Sequence, residues 1–170
     1  PVVLISDYAK GIFNRNLLER LITQAITHNK QVLVDPKGKD FSKYKNSTIL
    51  TPNLRETVEA SGIEENDSNF VSKAGKKIFK DVNTEALLIT KGEQGMTLIE
   101  KNGKEYEFAA LARKVYDVTG AGDTVIAVFA TALGAGASFM EAAEIANVAA
   151  GLVVAEVGTT AITLDDLLET

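Results

Sequence analysis

The residues with the most chemical potential stand at 120–123, where Gly-Ala-Gly is followed by Asp at the start of a long apolar run, "GAGDTVIAVFATAL". Glycine permits positive φ and close approach of another group. A turn that opens a helix also presents unpaired N–H groups at the positive end of the dipole. Gly120, Ala121 and Gly122 can therefore receive an anion, including charge that grows during phosphoryl transfer. Asp123 beside such an anion has two readings. It favours the helix dipole from the first turn, or it takes a proton from a hydroxyl that attacks phosphorus.

Three further segments carry polar groups just after apolar runs. In "TPNLRE", Asn53 and Glu56 have the spacing of a helix N-cap and its capping-box partner. The same two side chains can hold Mg²⁺ waters and nucleotide phosphates if they lie opposite the Gly-Ala-Gly turn. "TKGEQG" ends a strand with Thr90, Gly92 and Gly95, either an ordinary turn or a nucleotide-lining one. "SDYAKG" and "DPKG" supply Asp7, Tyr8, Lys10, Asp35 and Lys37. These read as solvated turns, with Lys10 and Lys37 as the phosphate partners if a site forms. Asn147 is polar in an apolar helix, where a core hydrogen bond is the commoner role.

These residues need elements to place them. Val2–Ser6, Gln31–Asp35, Ser47–Thr51 and Glu85–Thr90 read as buried strands. Helical spacing marks Asn14–Thr27, which ends at His28, then Asn53–Ser61 and Ser68–Lys80. A hairpin with an Asn102-Gly103 turn spans residues 96–108. From Ala121 the pattern is helical, with breaks at Gly134–Ser138 and Gly158–Ala161. Alternating strands and helices predict a mostly parallel sheet in a three-layer α/β fold. In such sheets ligands sit at the carboxyl ends of the strands.

Composition narrows the chemistry. The 170 residues suit one domain, with 18 Lys and Arg against 23 Asp and Glu and a net charge of −5. A basic groove for nucleic acid is not expected. There is no cysteine and a single histidine, so thiolate chemistry and His-built metal sites are excluded. No run reaches membrane-span length, and a soluble, cytoplasmic protein is expected. The chain opens on an apolar run without Met, which is expected of a fragment lacking an N-terminal part. The Rossmann fingerprint fits poorly because Val125 replaces its third glycine, and no Walker lysine follows the loop.

Together and in this order, the segments resemble the ribokinase-like (PfkB) carbohydrate kinases, whose signature matches "DVTGAGDT". The phrases "LISDYAKG", "VDPKGKDFSKYKNSTILTPNLRE", "TKGEQGMTLIE" and "IANVAAGLVVAEVGTTA" narrow the likeness to heptose 7-phosphate kinase domains of bifunctional ADP-heptose synthases. The resemblance spans the chain and corresponds to the C-terminal half of such a domain.

It implies a ribokinase-like αβα fold, ATP and Mg²⁺ as cofactors with K⁺ as a monovalent cation, and a phosphosugar substrate. Asp123 would be the base and Gly120, Ala121 and Gly122 the anion hole. Asn53, Leu54, Arg55 and Glu56 would line the ATP–Mg²⁺ site, with Thr90, Gly92, Gly95 and Asn147 around the nucleotide. Asp117, Thr119, Val153, Glu156 and Gly158 would surround the monovalent cation. The expected reaction phosphorylates the anomeric hydroxyl of D-glycero-β-D-manno-heptose 7-phosphate, on the route to lipopolysaccharide. The sugar-gripping half and the β-lid of that domain are missing from this sequence, so weak activity is expected of the chain alone, and a homodimer of the intact protein. Rivals are another PfkB sugar or nucleoside kinase, a Rossmann oxidoreductase and a non-catalytic binding module.

Overall fold

The structure is a computed structural model that describes residues 2–111, 120–155 and 161–169. Six strands form one sheet in sequential order: β1 (Val2–Ser6), β2 (Gln31–Asp35), β3 (Ile49–Leu50), β4 (Ala86–Thr90), β5 (Met96–Glu100) and β6 (Glu105–Phe108). The first four are parallel, and β5 and β6 add as an antiparallel hairpin. The helices are α1 (Arg15–Thr27), α2 (Leu54–Ser61), α3 (Phe70–Val82), α4 (Ala121–Gly134), α5 (Phe139–Val154) and α6 (Leu164–Leu168).

The continuous apolar runs are explained by burial on both faces. Val32, Val34, Leu50, Leu87 and Ile89 point to one layer, against Leu18 and Ile22 of α1 and Ile78 and Val82 of α3. Their neighbours Leu33, Ile49, Ala86, Leu88 and Leu98 point the other way, against Val125, Ile126 and Phe129 of α4 and Ala142, Ala143 and Ala146 of α5. Each fully buried Leu or Ile contributes about 1.5–3 kcal/mol. The alanine stripe of α5 lets it pack closely on α4 over this face of the sheet.

Two boundaries differ from expectation. β3 is shorter than 47–51 because the Thr48 hydroxyl accepts from the Val32 N–H at 2.8 Å, so a side chain replaces a ladder carbonyl. α3 begins at Phe70 because Asp67 folds back on the backbone, accepting from the Asn69 N–H and pairing with Lys73. It runs on to Val82 and stops at Asn83 in the left-handed region, φ 58°. His28 caps α1 at its C-terminus, as the pattern predicts.

Candidate active site

The parallel strands deliver their carboxyl ends to one edge. Asp35 closes β2, Thr51 follows β3 and Thr90 closes β4, and the N-termini of α2 and α4 face the same edge. Between them lies a cleft of about 180 Å³ lined by Asp35, Lys37, Asn53, Glu56, Gly122 and Asp123, among others. Beside it lies a larger, more apolar cavity of about 590 Å³ that shares Asn53, Thr90, Gly122 and Val125. The second cavity runs between the 92–96 turn and α5, past Gly92, Gly95, Leu111, Ala121, Asn147 and Gly151.

The two helix entrances are built differently. At α2 the Asn53 side chain accepts from the Glu56 N–H at 2.9 Å, and Glu56 Oε2 accepts from the Asn53 N–H at 3.0 Å. This is a complete capping box. At α4, Gly120 adopts φ 82° and no side chain among the described residues caps the helix. A Cβ on Gly122 would meet nothing within 4 Å, so its face is open to the cleft. Asp123 is exposed in the first turn of α4, and Tyr8 at the end of β1 donates to its Oδ1 at 3.2 Å. The Asp123 carboxylate therefore sits at the positive end of the helix dipole and still faces the cleft.

Carboxylates crowd the floor. Burial, and after it the charge of Glu56, pushes the Asp35 pKa up to about 6; Lys37 draws it down and Asp123 adds to the rise. Lys37 Nζ lies 2.6 Å from Glu56 Oε1, and that hydrogen bond raises the lysine pKa. The loop bearing Lys37 is pinned from behind. The Lys37 N–H donates to the Tyr44 hydroxyl at 2.9 Å, which donates to Asp7 Oδ2 at 2.6 Å. Asp7 also accepts from Lys43 and from the Ala9 N–H. Burial acts to raise its pKa, but these donors outweigh burial and hold it below the ordinary value.

Asn53, Glu56, Thr90, Gly92, Gly95, Gly120, Ala121, Gly122, Asp123 and Asn147 all line one or both of these spaces. Asn147 also donates to the Ala109 carbonyl at 2.9 Å, so the core reading holds beside the cavity-lining one. Leu54 packs into the core instead, and Arg55 points outward to Glu59. Val153 is buried in α5 and lines neither cavity. Lys10 is exposed and lines neither. Asp117, Thr119, Glu156 and Gly158 lie outside the described residues. Gly95 has a structural duty as well: at φ 83° a Cβ there would sit 1.9 Å from the Phe108 carbonyl oxygen. The Tyr8 contact escaped the sequence reading because it joins positions 115 residues apart.

The profile described as "pfkB family carbohydrate kinase" matches residues 3–166. The chain belongs to the pfkB family of carbohydrate kinases. A "Bifunctional protein HldE" of Shewanella piezotolerans is 50% identical over 99% of this chain and 35% of the relative. One of the same name from Coxiella burnetii is 50% identical over 97% and 34%. The chain thus spans about a third of the length of these relatives. Among solved structures, Escherichia coli phosphofructokinase-2 with potassium superposes at a TM-score of 0.87, with 21% identity over 99% of this chain and 55% of that one. Arabidopsis thaliana ribokinase with ribose and ATP gives 0.81, with 26% identity over 93% and 51%. The three-layer fold of this pfkB chain is therefore ribokinase-like. Among the described residues no helix is long and apolar enough to cross a membrane.

Proposed function

We propose that this pfkB chain carries the nucleotide-binding and catalytic half of a heptose 7-phosphate kinase. The transfer goes from ATP to the anomeric hydroxyl of D-glycero-β-D-manno-heptose 7-phosphate. The substrate assignment rests on the similarity to the two HldE proteins. The observation that carries the chemistry is Asp123 exposed beside the uncapped α4 entrance, in one cleft with Asn53 and Glu56.

Asp123 accepts the proton of the attacking hydroxyl, which lets the oxygen form its bond to phosphorus as the bond to the leaving ADP breaks. The N–H groups at Gly120–Gly122 stabilise the charge that spreads over the transferred phosphoryl oxygens. The apolar walls around Gly92, Gly95 and Asn147 accommodate the base. Mg²⁺, when bound, neutralises the phosphates and screens their charge from the carboxylates. The donor set fits it. Among the described residues no group of three or more His, Cys, Asp or Glu could ring a metal, so Glu56 and its neighbours would share the ion with water and phosphate oxygens. The monovalent-cation residues Asp117, Thr119, Val153, Glu156 and Gly158, and a homodimer of the intact protein, stay in this proposal as expectations from the family.

Calorimetry with this chain tests the reading. ATP with Mg²⁺ should bind and NAD⁺ should not. Heptose-dependent ADP release should be slow and should fall below detection in Asp123→Asn. Binding of NAD⁺ in place of ATP, or an Asp123→Asn variant as active as the parent, would overturn it.

A further inference from the structure

Glu56 has no idle oxygen. Its Oε2 is committed to the α2 capping box, and its Oε1 accepts from the Lys37 ammonium at 2.6 Å. The Glu56 side chain is 8% exposed and that of Lys37 51%, so the lysine reaches in from the cleft side and lies over the buried carboxylate. Any cation that comes to Glu56 must therefore contend with Lys37 for Oε1. The surroundings favour a cation of some kind at all times, because Asp35, Glu56 and Asp123 line the same small space. Among the described residues, Lys37 is the one Lys or Arg that lines that cleft.

We propose that Lys37 is the exchangeable counter-ion of Glu56: it neutralises the free cleft, gives up Oε1 to an incoming divalent cation, and moves its ammonium onto the polyphosphate that arrives with that cation. The inference rests on the function proposed above and adds a residue to it. Lysine suits the exchange because its ammonium is a compact charge on a flexible four-carbon stem, free to swing about a fixed backbone. The backbone is fixed here, since the Lys37 N–H is held by Tyr44 and Tyr44 by Asp7. One residue thus has an anchored main chain and a mobile charge. The Tyr44 bond uses only the main chain of residue 37, so a side-chain substitution leaves the loop in place.

The test uses this chain, its Lys37→Gln and Lys37→Arg variants and the double variant Lys37→Gln/Glu56→Gln, with thermal melts to show that each folds. Mn²⁺ alone is titrated first and followed by electron paramagnetic resonance. Removing the competing ammonium should tighten Mn²⁺ binding about fivefold in Lys37→Gln, the change that follows from removing about 1 kcal/mol of competition. Lys37→Arg should stay near the parent, and the double variant should lose the gain. ADP in excess Mg²⁺ is titrated second, and Lys37→Gln should bind it about tenfold more weakly, the loss of one charge-assisted contact. Unchanged Mn²⁺ affinity in Lys37→Gln, no Mn²⁺ binding by either protein, or unchanged ADP affinity overturns the exchange. If the parent chain binds no nucleotide, the function proposed above fails, and the Mn²⁺ arm still decides the contest at Glu56 because it needs none.

Discussion

Two helices begin at the same cleft, and their first turns solve the same electrostatic problem in opposite ways. α2 closes its own N-terminus: Asn53 and Glu56 satisfy each other's backbone N–H groups, and Glu56 is buried in doing so. α4 has an N-terminus that no side chain among the described residues caps, entered through a glycine in the left-handed region and carrying an exposed carboxylate. A closed entrance adds stability, whereas an open one keeps its N–H groups for a ligand. The contrast teaches that one cleft can hold a rigid wall and a receptive wall, each written in three or four residues. It also explains why the acidic residues at the third helical position differ, Glu56 buried with one oxygen tied into the cap and Asp123 exposed.

Substitutions at the two entrances should separate accordingly. The largest effect is expected for Asp123→Asn, which should slow phosphoryl transfer by about 10²–10⁴-fold while the melting temperature and ATP affinity stay near the parent's. Stopped-assay product measurement beside calorimetry checks it. A matching loss of ATP binding would mean that Asp123 holds the ligand and does not serve as base.

At the closed entrance the expected loss is in stability. Asn53→Ala removes the side-chain half of the capping box and should cost about 1 kcal/mol in urea unfolding. An unchanged midpoint would show that the box contributes nothing to α2.

The floor between the helices should make stability depend on pH. Asp35 ionises near 3.8 when unconstrained and near 6 in the fold. The folded chain therefore holds this proton more tightly. The associated stability is fully present below about pH 4 and is lost as pH rises through about 6. Allowing for solvent screening, the loss is ~1–2 kcal/mol. Asp35→Asn should flatten this part of the stability–pH curve, read by denaturation at pH 4, 5, 6 and 7. An equal slope in parent and variant would assign it to another group.

At the open entrance the expected stability change has the opposite sign. Gly122→Ala meets no protein atom and removes backbone entropy from the unfolded chain, so it should stabilise by up to ~1 kcal/mol. It should also weaken nucleotide binding, because its methyl group enters the space a ligand would use. Greater stability with undiminished binding would break the contrast between the two helix entrances.

Much of this architecture could be read from the sequence. Buried runs such as Val32–Val34 and Leu87–Ile89 are apolar at every position because both sheet faces are covered, so strands and layers followed directly. The capping box at Asn53 and Glu56 and the Gly120 turn are local features with local signals. Contacts between distant segments were not legible. Nothing at position 8 announces a hydroxyl that reaches Asp123, and the "DPKG" lysine gives no sign that its partner is Glu56. Arg55 and Leu54 show the converse, since adjacency in the motif does not carry them into the cleft: α2 turns one outward and one into the core.

On this reading the open entrance of α4 receives the transferring phosphate. Amide chemical-shift mapping with a non-hydrolysable ATP analogue and Mg²⁺ tests it most directly. The largest perturbations should fall on the backbone N–H groups of residues 120–123, with smaller ones at Thr90, Gly92 and Asn147. Perturbations elsewhere, with residues 120–123 unmoved under saturating analogue, would contradict it.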